Sequence, residues 1–161
     1  MSDSEPGPRP LADGVEIRDG RPDDAEALLP LMRGYCDFYE VDPPDSGLLE
    51  LARTVAGDPE QGALYVAERD GEPIGFAVMD WKWASTAGAR VGHLEDLFVS
   101  AEARGAGVAD ALIARCAERC RELGIGSLGW MTAPDNHRAQ KVYERSGAER
   151  SEWLEYELEL G

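Results

Sequence analysis

Apolar residues recur with two periods along the 161-residue chain, and the switches between those periods outline its elements. GVEIRDG, residues 14–20, alternates and predicts an opening strand. In RPDDAEALLPLMRGYCDFYE, residues 21–40, Leu28, Leu29, Leu31, Met32, Tyr35 and Phe38 fall on helical spacing behind an acidic first turn. Pro30 inside that stretch predicts a kink or a break. DSGLLELARTVAG, residues 45–57, predicts a shorter second helix with Gly57 near its end. ALYVAERDGEPIGFAVMDWKW, residues 63–83, reads as a hairpin about the turn RDGE, and VGHLEDLFVS, residues 91–100, as a further strand. AGVADALIARCAERCRELG, residues 106–124, predicts a helix whose apolar positions are Val108, Leu112, Ile113, Cys116, Cys120 and Leu123, closed by Gly124. SLGWMTA predicts a strand, DNHRAQKVYERSGA a helix ending near Gly147, and the alternating SEWLEYELEL, residues 151–160, a final strand. The order β-α-α-β-β-β-α-β-α-β predicts an α/β fold, a mixed sheet with helices on its faces.

Composition narrows the class. No run approaches 18 apolar residues, so no membrane-spanning helix is expected. MSDSEPGPRPLADG is acidic and Pro-rich and lacks the basic start and apolar centre of a signal peptide. Residues 1–13 read as a flexible tail and residues 14–161 as one domain, large enough for a real core. Cys36, Cys116 and Cys120 are odd in number and lack zinc spacing, which predicts buried thiols in a reducing cytoplasm. Neither His93 nor His137 has a partner at metal-ligand spacing, and no metal is expected. The net charge of −16 is uneven: residues 1–50 hold 4 basic and 13 acidic side chains, residues 101–150 hold 8 and 7. Such a surface repels nucleic acid and suits a cationic partner, although solubility or a salt-rich habitat explains it equally well. The near-neutral stretch is the least hostile place for an anionic ligand.

That stretch contains ARGAGVADALIARC, residues 103–116, a glycine-rich turn leading straight into a helix. A strand, a tight turn and a helix N-terminus collect free N–H groups at the positive end of the helix dipole, where an anion is favoured. Gly105 and Gly107 permit unusual backbone angles and clear side chains from a ligand's path, while Arg104 adds a cation at the rim. The spacing is neither that of a Walker loop nor that of a dinucleotide fingerprint. A turn that merely lets strand and helix pack would look the same.

VSAEARGAGVADALI resembles the acetyl-CoA signature of the GNAT superfamily of N-acyltransferases, Arg/Gln-x-x-Gly-x-Gly/Ala, with Arg104, Gly107 and Ala109 at its defined positions. LEDLFV before the loop and DNHRAQKVYERSGA after it match the neighbouring motifs in order and spacing, and the resemblance covers about residues 14–160. LEDLFV with Asn-x-x-Ala-x-x-x-Tyr is similar to the spermidine/spermine N-acetyltransferase branch. The resemblance implies a splayed, mostly antiparallel central sheet, acetyl-CoA as cosubstrate and CoA as product. It assigns the pyrophosphate to the backbone N–H groups of Gly105, Ala106, Gly107, Val108 and Ala109. The pantetheine arm would lie along Leu97, Phe98 and Val99, with an N–H near Leu97 on the thioester oxygen and Asn136 and Tyr143 beside the cofactor.

A primary amine, with a pKa of about 10, must lose a proton before it attacks. By the same resemblance Glu95 takes that proton, directly or through water, and Tyr143 returns one to the leaving thiolate. Tyr143 also fits a core aromatic of an amphipathic helix. Strict alternation sends Asp96 to the opposite face of the strand from Glu95. Tyr35, Tyr39, Glu40, Asp80 and Trp81 border the acceptor cleft implied by the fold and suit a cationic amine, though ordinary packing and a solvated acidic face account for each singly. The expected activity is N-acetylation of a small amine, polyamine or amino-acid-like acceptor in a ternary complex. The alternative is an acetyl-CoA-binding sensor without turnover, which would need neither Glu95 nor Tyr143. Trp153 and Tyr156 on an edge strand, with the habit of this branch, imply a homodimer.

Overall fold

The alternating segments pair into one five-stranded sheet. In the computed structural model, which describes residues 6–161, the strands are β1 (Val15–Asp19), β2 (Ala63–Arg69), β3 (Glu72–Ala84), β4 (Ala89–Val99) and β5 (Leu128–Gly129), in that spatial order. The first four pair antiparallel, and β5 joins β4 in parallel. The helices are α1 (Ala25–Phe38), α2 (Asp45–Gly57), α3 (Val108–Glu122) and α4 (His137–Arg145). The described residues fall into two units, Arg9–Met131 and Thr132–Gly161 with residues 6–8. Residues 1–5 of the expected tail lie outside the described residues.

In the larger unit α1 and α2 cover one face of the sheet. Leu28 and Met32 of α1 and Ala52 of α2 pack with Leu64 and Val66 of β2 and with Phe76 and Val78 of β3. The alternate residues face α3: the Arg115 guanidinium lies 4.6 Å over the Tyr65 ring, and a Cβ built on Gly92 would meet Cys120 Sγ at 2.5 Å. Gly92 therefore lets α3 approach β4. The three cysteines lie buried as free thiols, and burial pushes the Cys116 thiol up to about 12. Arg18 of β1 holds buried Asp24 through two bonds of 2.8 and 2.9 Å, and this pairing keeps the Asp24 carboxyl below its ordinary range.

Three expectations need correction. Pro30 neither kinks into a break nor ends α1, which runs unbroken from Ala25 to Phe38. Pro30 and Glu26, whose carbonyl lacks an i+4 donor, both face solvent, where water can satisfy that group. SLGWMTA shrinks to two strand residues because β5 pairs only at Gly92↔Leu128 and His93↔Gly129. The final strand is absent: residues 149–161 take no ladder, and Trp153, Leu154, Tyr156, Leu158 and Leu160 are 82–89% exposed. Alternation states which face a strand would bury, but it supplies no partner edge. In this smaller unit the Asn136 side chain caps α4, its Oδ1 accepting the Ala139 N–H at 3.3 Å.

Candidate active site

Two features of β4 build the site. The first is an edge. Beyond Gly129 the β5 pairing stops while β4 continues to Val99, so Leu94–Val99 keep β3 on one side and lose β5 on the other. Leu97, Phe98 and Val99 are half-buried along this opened edge, where an extended amide-bearing chain can pair. The second is a bulge. Val78 pairs with Asp96 and Met79 with Leu94, leaving Glu95 with no counterpart on β3.

The bulge overturns the alternation expected for Glu95 and Asp96. Registered neighbours share a face, so Asp80 and His93 lie on the α1 side with Val78 and Asp96. Asp96 meets the Tyr35 hydroxyl, and that hydroxyl donates to the Glu95 carbonyl at 3.3 Å. Glu95 reaches back along the same side, its Oε2 3.2 Å from His93 Nδ1. Both acids therefore serve one face. Burial pushes the Asp96 carboxyl up to about 6, with the neighbouring Glu95 charge acting in the same direction and the Tyr35 hydrogen bond opposing it. Burial likewise raises the Tyr35 phenol, helped by Asp96.

Aromatic rings wall this cluster. The Tyr35 ring lies 5.0 Å from Tyr39, 6.3 Å from Phe76 and 6.4 Å from Phe98. Glu40 follows on the exposed end of α1 with φ of 56°. Trp81 is not brought in, because it pairs with Gly92, whose absent side chain points at Cys120 on the α3 face. Asp96 and His93 were missed as members. The signal for Asp96 was its place beside Glu95, but strict alternation discarded it.

The glycine-rich loop leaves β4 through a short 3-10 turn, Ala101–Ala103, and enters α3. Gly105 and Gly107 take φ of +87° and +75°, the left-handed angles expected of them. The backbone N–H groups of Gly107, Val108 and Ala109 have no backbone acceptor among the described residues. Three such donors at the start of a 15-residue helix fit a pyrophosphate. Asp110, an acid in that first turn, is buried. The N-terminal segment lies against this loop: the Ala12 N–H donates to the Ala106 carbonyl at 2.9 Å. A Cβ on Gly107 would lie 2.3 Å from the Pro10 oxygen. The missing side chain at Gly107 thus makes room for the chain itself. Asn136 and Tyr143 belong to the smaller unit, Asn136 as the α4 cap and Tyr143 half-buried seven residues on. A cavity of about 300 Å³ lies at the far end of β1, and its arginines, Arg115 and Arg119, are paired with Asp19 and Glu122. Among the described residues no His, Cys, Asp and Glu cluster could hold a metal.

The acetyltransferase (GNAT) family matches this chain over residues 28–148. The D-amino-acid N-acetyltransferase HPA3 of Saccharomyces cerevisiae is 34% identical over 149 residues, covering 90% of this chain and 91% of that protein. The thialysine N-epsilon-acetyltransferase of Caenorhabditis elegans is 28% identical over 131 residues, 80% of this chain and 79% of its own length. The aminoglycoside N-acetyltransferase AAC(6')-Iy, solved in complex with CoA, superposes with a TM-score of 0.80 at 25% identity, covering 94% of this chain and 98% of that one.

Gly107→Val should weaken CoA binding and lower thermal stability together, because a left-handed angle is imposed on a branched residue beside the Pro10 carbonyl; such backbone strain costs about 1–3 kcal/mol. Calorimetric titration with CoA and a melting curve without it check both arms, and wild-type values in both would refute the packing. Asp96→Asn should stabilise the protein at pH 8 and leave it unchanged near pH 4. A carboxyl raised to about 6 favours folding when neutral and loses that contribution as pH rises through 6, whereas Asn stays neutral. Denaturation midpoints across pH measure this.

Proposed function

The chain belongs to the acetyltransferase (GNAT) family and is an acetyl-CoA-dependent N-acetyltransferase, and from that premise we propose that its acceptor is a small cationic primary amine, a polyamine or amino-acid-like compound. The observation that carries this reading is the gathering of Asp80 of β3 with Glu95 and Asp96 of β4 on the face that Tyr35 covers, next to the edge that β5 leaves open. Carboxylates and aromatic faces attract an ammonium group by charge and by cation–π contact. The polyamine branch remains one option. The D-amino-acid and thialysine specificities of the two relatives are others within the same chemistry.

The mechanism we infer is direct attack in a ternary complex. Backbone N–H groups of residues 105–109, with Arg104 at the rim, hold the pyrophosphate, and Leu97–Val99 hold the pantetheine amides. Glu95 accepts a proton from the acceptor ammonium, so the nitrogen's electron pair is free to form the new C–N bond. An N–H near Leu97 stabilises the oxygen on which charge develops. The C–S bond breaks, Tyr143, on α4 seven residues beyond Asn136, donates its phenolic proton to the sulfur, and the second proton of the acceptor nitrogen passes through water to the phenolate, leaving a neutral amide and a neutral ring. Residues 14–161 act as one catalytic domain in this reading. We also propose a homodimer in the cytoplasm, formed through the exposed alternating segment 151–160; in that case light scattering at micromolar concentration gives twice the monomer mass, and removal of residues 151–161 gives the monomer.

Thiol release from acetyl-CoA, followed across D-amino acids, thialysine, an aminoglycoside and spermidine, tests the acceptor class. Turnover with at least one cationic amine supports it, and an inert panel with intact CoA binding favours the sensor. Tyr143→Phe should lower kcat by at least ~10-fold while CoA affinity holds. Glu95→Gln should depress the rate most at low pH, where the acceptor is most fully protonated. Wild-type kcat in Tyr143→Phe at every pH, with chemistry rate-limiting, would leave that ring a purely structural part.

A further inference from the structure

Glu95 is an awkward residue on which to hang a proton transfer. It is the unpaired residue of the bulge, so no registered neighbour on β3 steadies it, and its side chain is 55% exposed. A long carboxylate in that setting samples several rotamers. His93 lies two residues earlier on the same face. Its Nδ1 is 3.2 Å from Glu95 Oε2 and 3.5 Å from Asp80 Oδ1. Asp80 is the registered partner of His93 across β3 and β4, on the regular side of the bulge. On the other edge His93 pairs with Gly129, which has no side chain to crowd the ring. The His93 ring nitrogen stands within donor reach of the Glu95 carboxylate.

We propose that His93 is a positioning residue for Glu95, and this rests on the reading that Glu95 takes the acceptor's proton. Asp80 anchors the imidazole from across the strand pair. Ionised carboxylates are acceptors only, so in this arrangement Nδ1 carries the proton and the ring turns slightly to donate to Oε2 across the 3.2 Å separation. That bond ties Oε2 and leaves Oε1 to receive the proton. The N–H bond of the ammonium breaks, the Glu95 O–H forms, and His93 keeps its own proton throughout. The other groups near the ring are Asp96 and Tyr35, with Lys82 the next charge along β3 on that face. This explains why a half-exposed histidine stands in an otherwise acidic group: it orients a base that the backbone has released.

Ring-nitrogen NMR tests the contact without any acceptor. The chain has 2 histidines, so loss of one signal set in His93→Asn assigns the other to His137. The His93 ring should be protonated at Nδ1, and its resonance should move in Glu95→Ala; an Nδ1 without a proton, or an unmoved resonance, overturns the proposal. Kinetics with the best amine of the panel test the role. His93→Phe should lower kcat about 10-fold with unchanged acetyl-CoA KM and melting temperature, a fraction of the ~10²–10⁴-fold that a general base itself supplies. His93→Asn, whose amide nitrogen falls near the Nδ1 position, should recover most of the loss, and His93→Gln, which reaches the Nε2 position, should not. In a Glu95→Gln background His93→Phe should add nothing. Wild-type kcat in His93→Phe beside an impaired Glu95→Gln defeats the positioning role alone. Full kcat in Glu95→Gln defeats the base assignment beneath it.

Discussion

β3 and β4 hold each other through registered pairs from Gly75↔Val99 to Ala84↔Ala89, and β4 spends one more residue than β3 over that length. The surplus is Glu95. Its insertion rotates the strand so that His93, Glu95 and Asp96 all address the α1 side, where a regular strand would alternate. The same stretch is where β5 lets go, after His93↔Gly129. A carboxylate cluster and an unpaired strand edge are thereby made neighbours by two departures from sheet regularity. The aromatic wall from α1 depends on them too, because the Tyr35 hydroxyl is held by the Glu95 carbonyl and Asp96.

This arrangement costs stability. Asp96 is half-buried against its own preference for water, and the nearby Glu95 raises its carboxyl further. Contrast Asp24, where Arg18 holds the carboxylate and favours its charged form. The chain thus uses buried Asp24 as a structural pin and leaves half-buried Asp96 without a full cation partner. The stability lost there is offset by the core beneath, in which Phe76, Leu28, Met79 and Leu112 are almost fully enclosed.

Packing around the glycine loop follows a similar economy. Left-handed angles at Gly105 and Gly107 turn the chain from β4 into α3 and leave the Gly107, Val108 and Ala109 N–H groups without a backbone acceptor among the described residues. The segment before β1 then closes on the loop through Ala12 and Pro10, using the space where Gly107 has no side chain. One glycine serves both the turn and this approach.

Periodicity by itself determined nine of the ten expected elements, since the buried face of a helix or strand must be apolar at its own spacing. The glycine pattern marked the turn between β4 and α3, although a turn that merely lets strand and helix pack has the same pattern. Glu95, Tyr35, Tyr39 and Asp80 were legible as residue types suited to an amine. Three things were left for the tertiary structure to decide. Whether SEWLEYELEL pairs depends on an edge elsewhere in space, and residues 149–161 find none among the described residues. Which of Glu95 and Asp96 faces the site depends on a bulge, which is a property of two strands in register and leaves no mark on either alone. His93 and Trp81 were placed by the same register: pairing with Asp80 brought one to the acidic face, and pairing with Gly92 set the other on the α3 face.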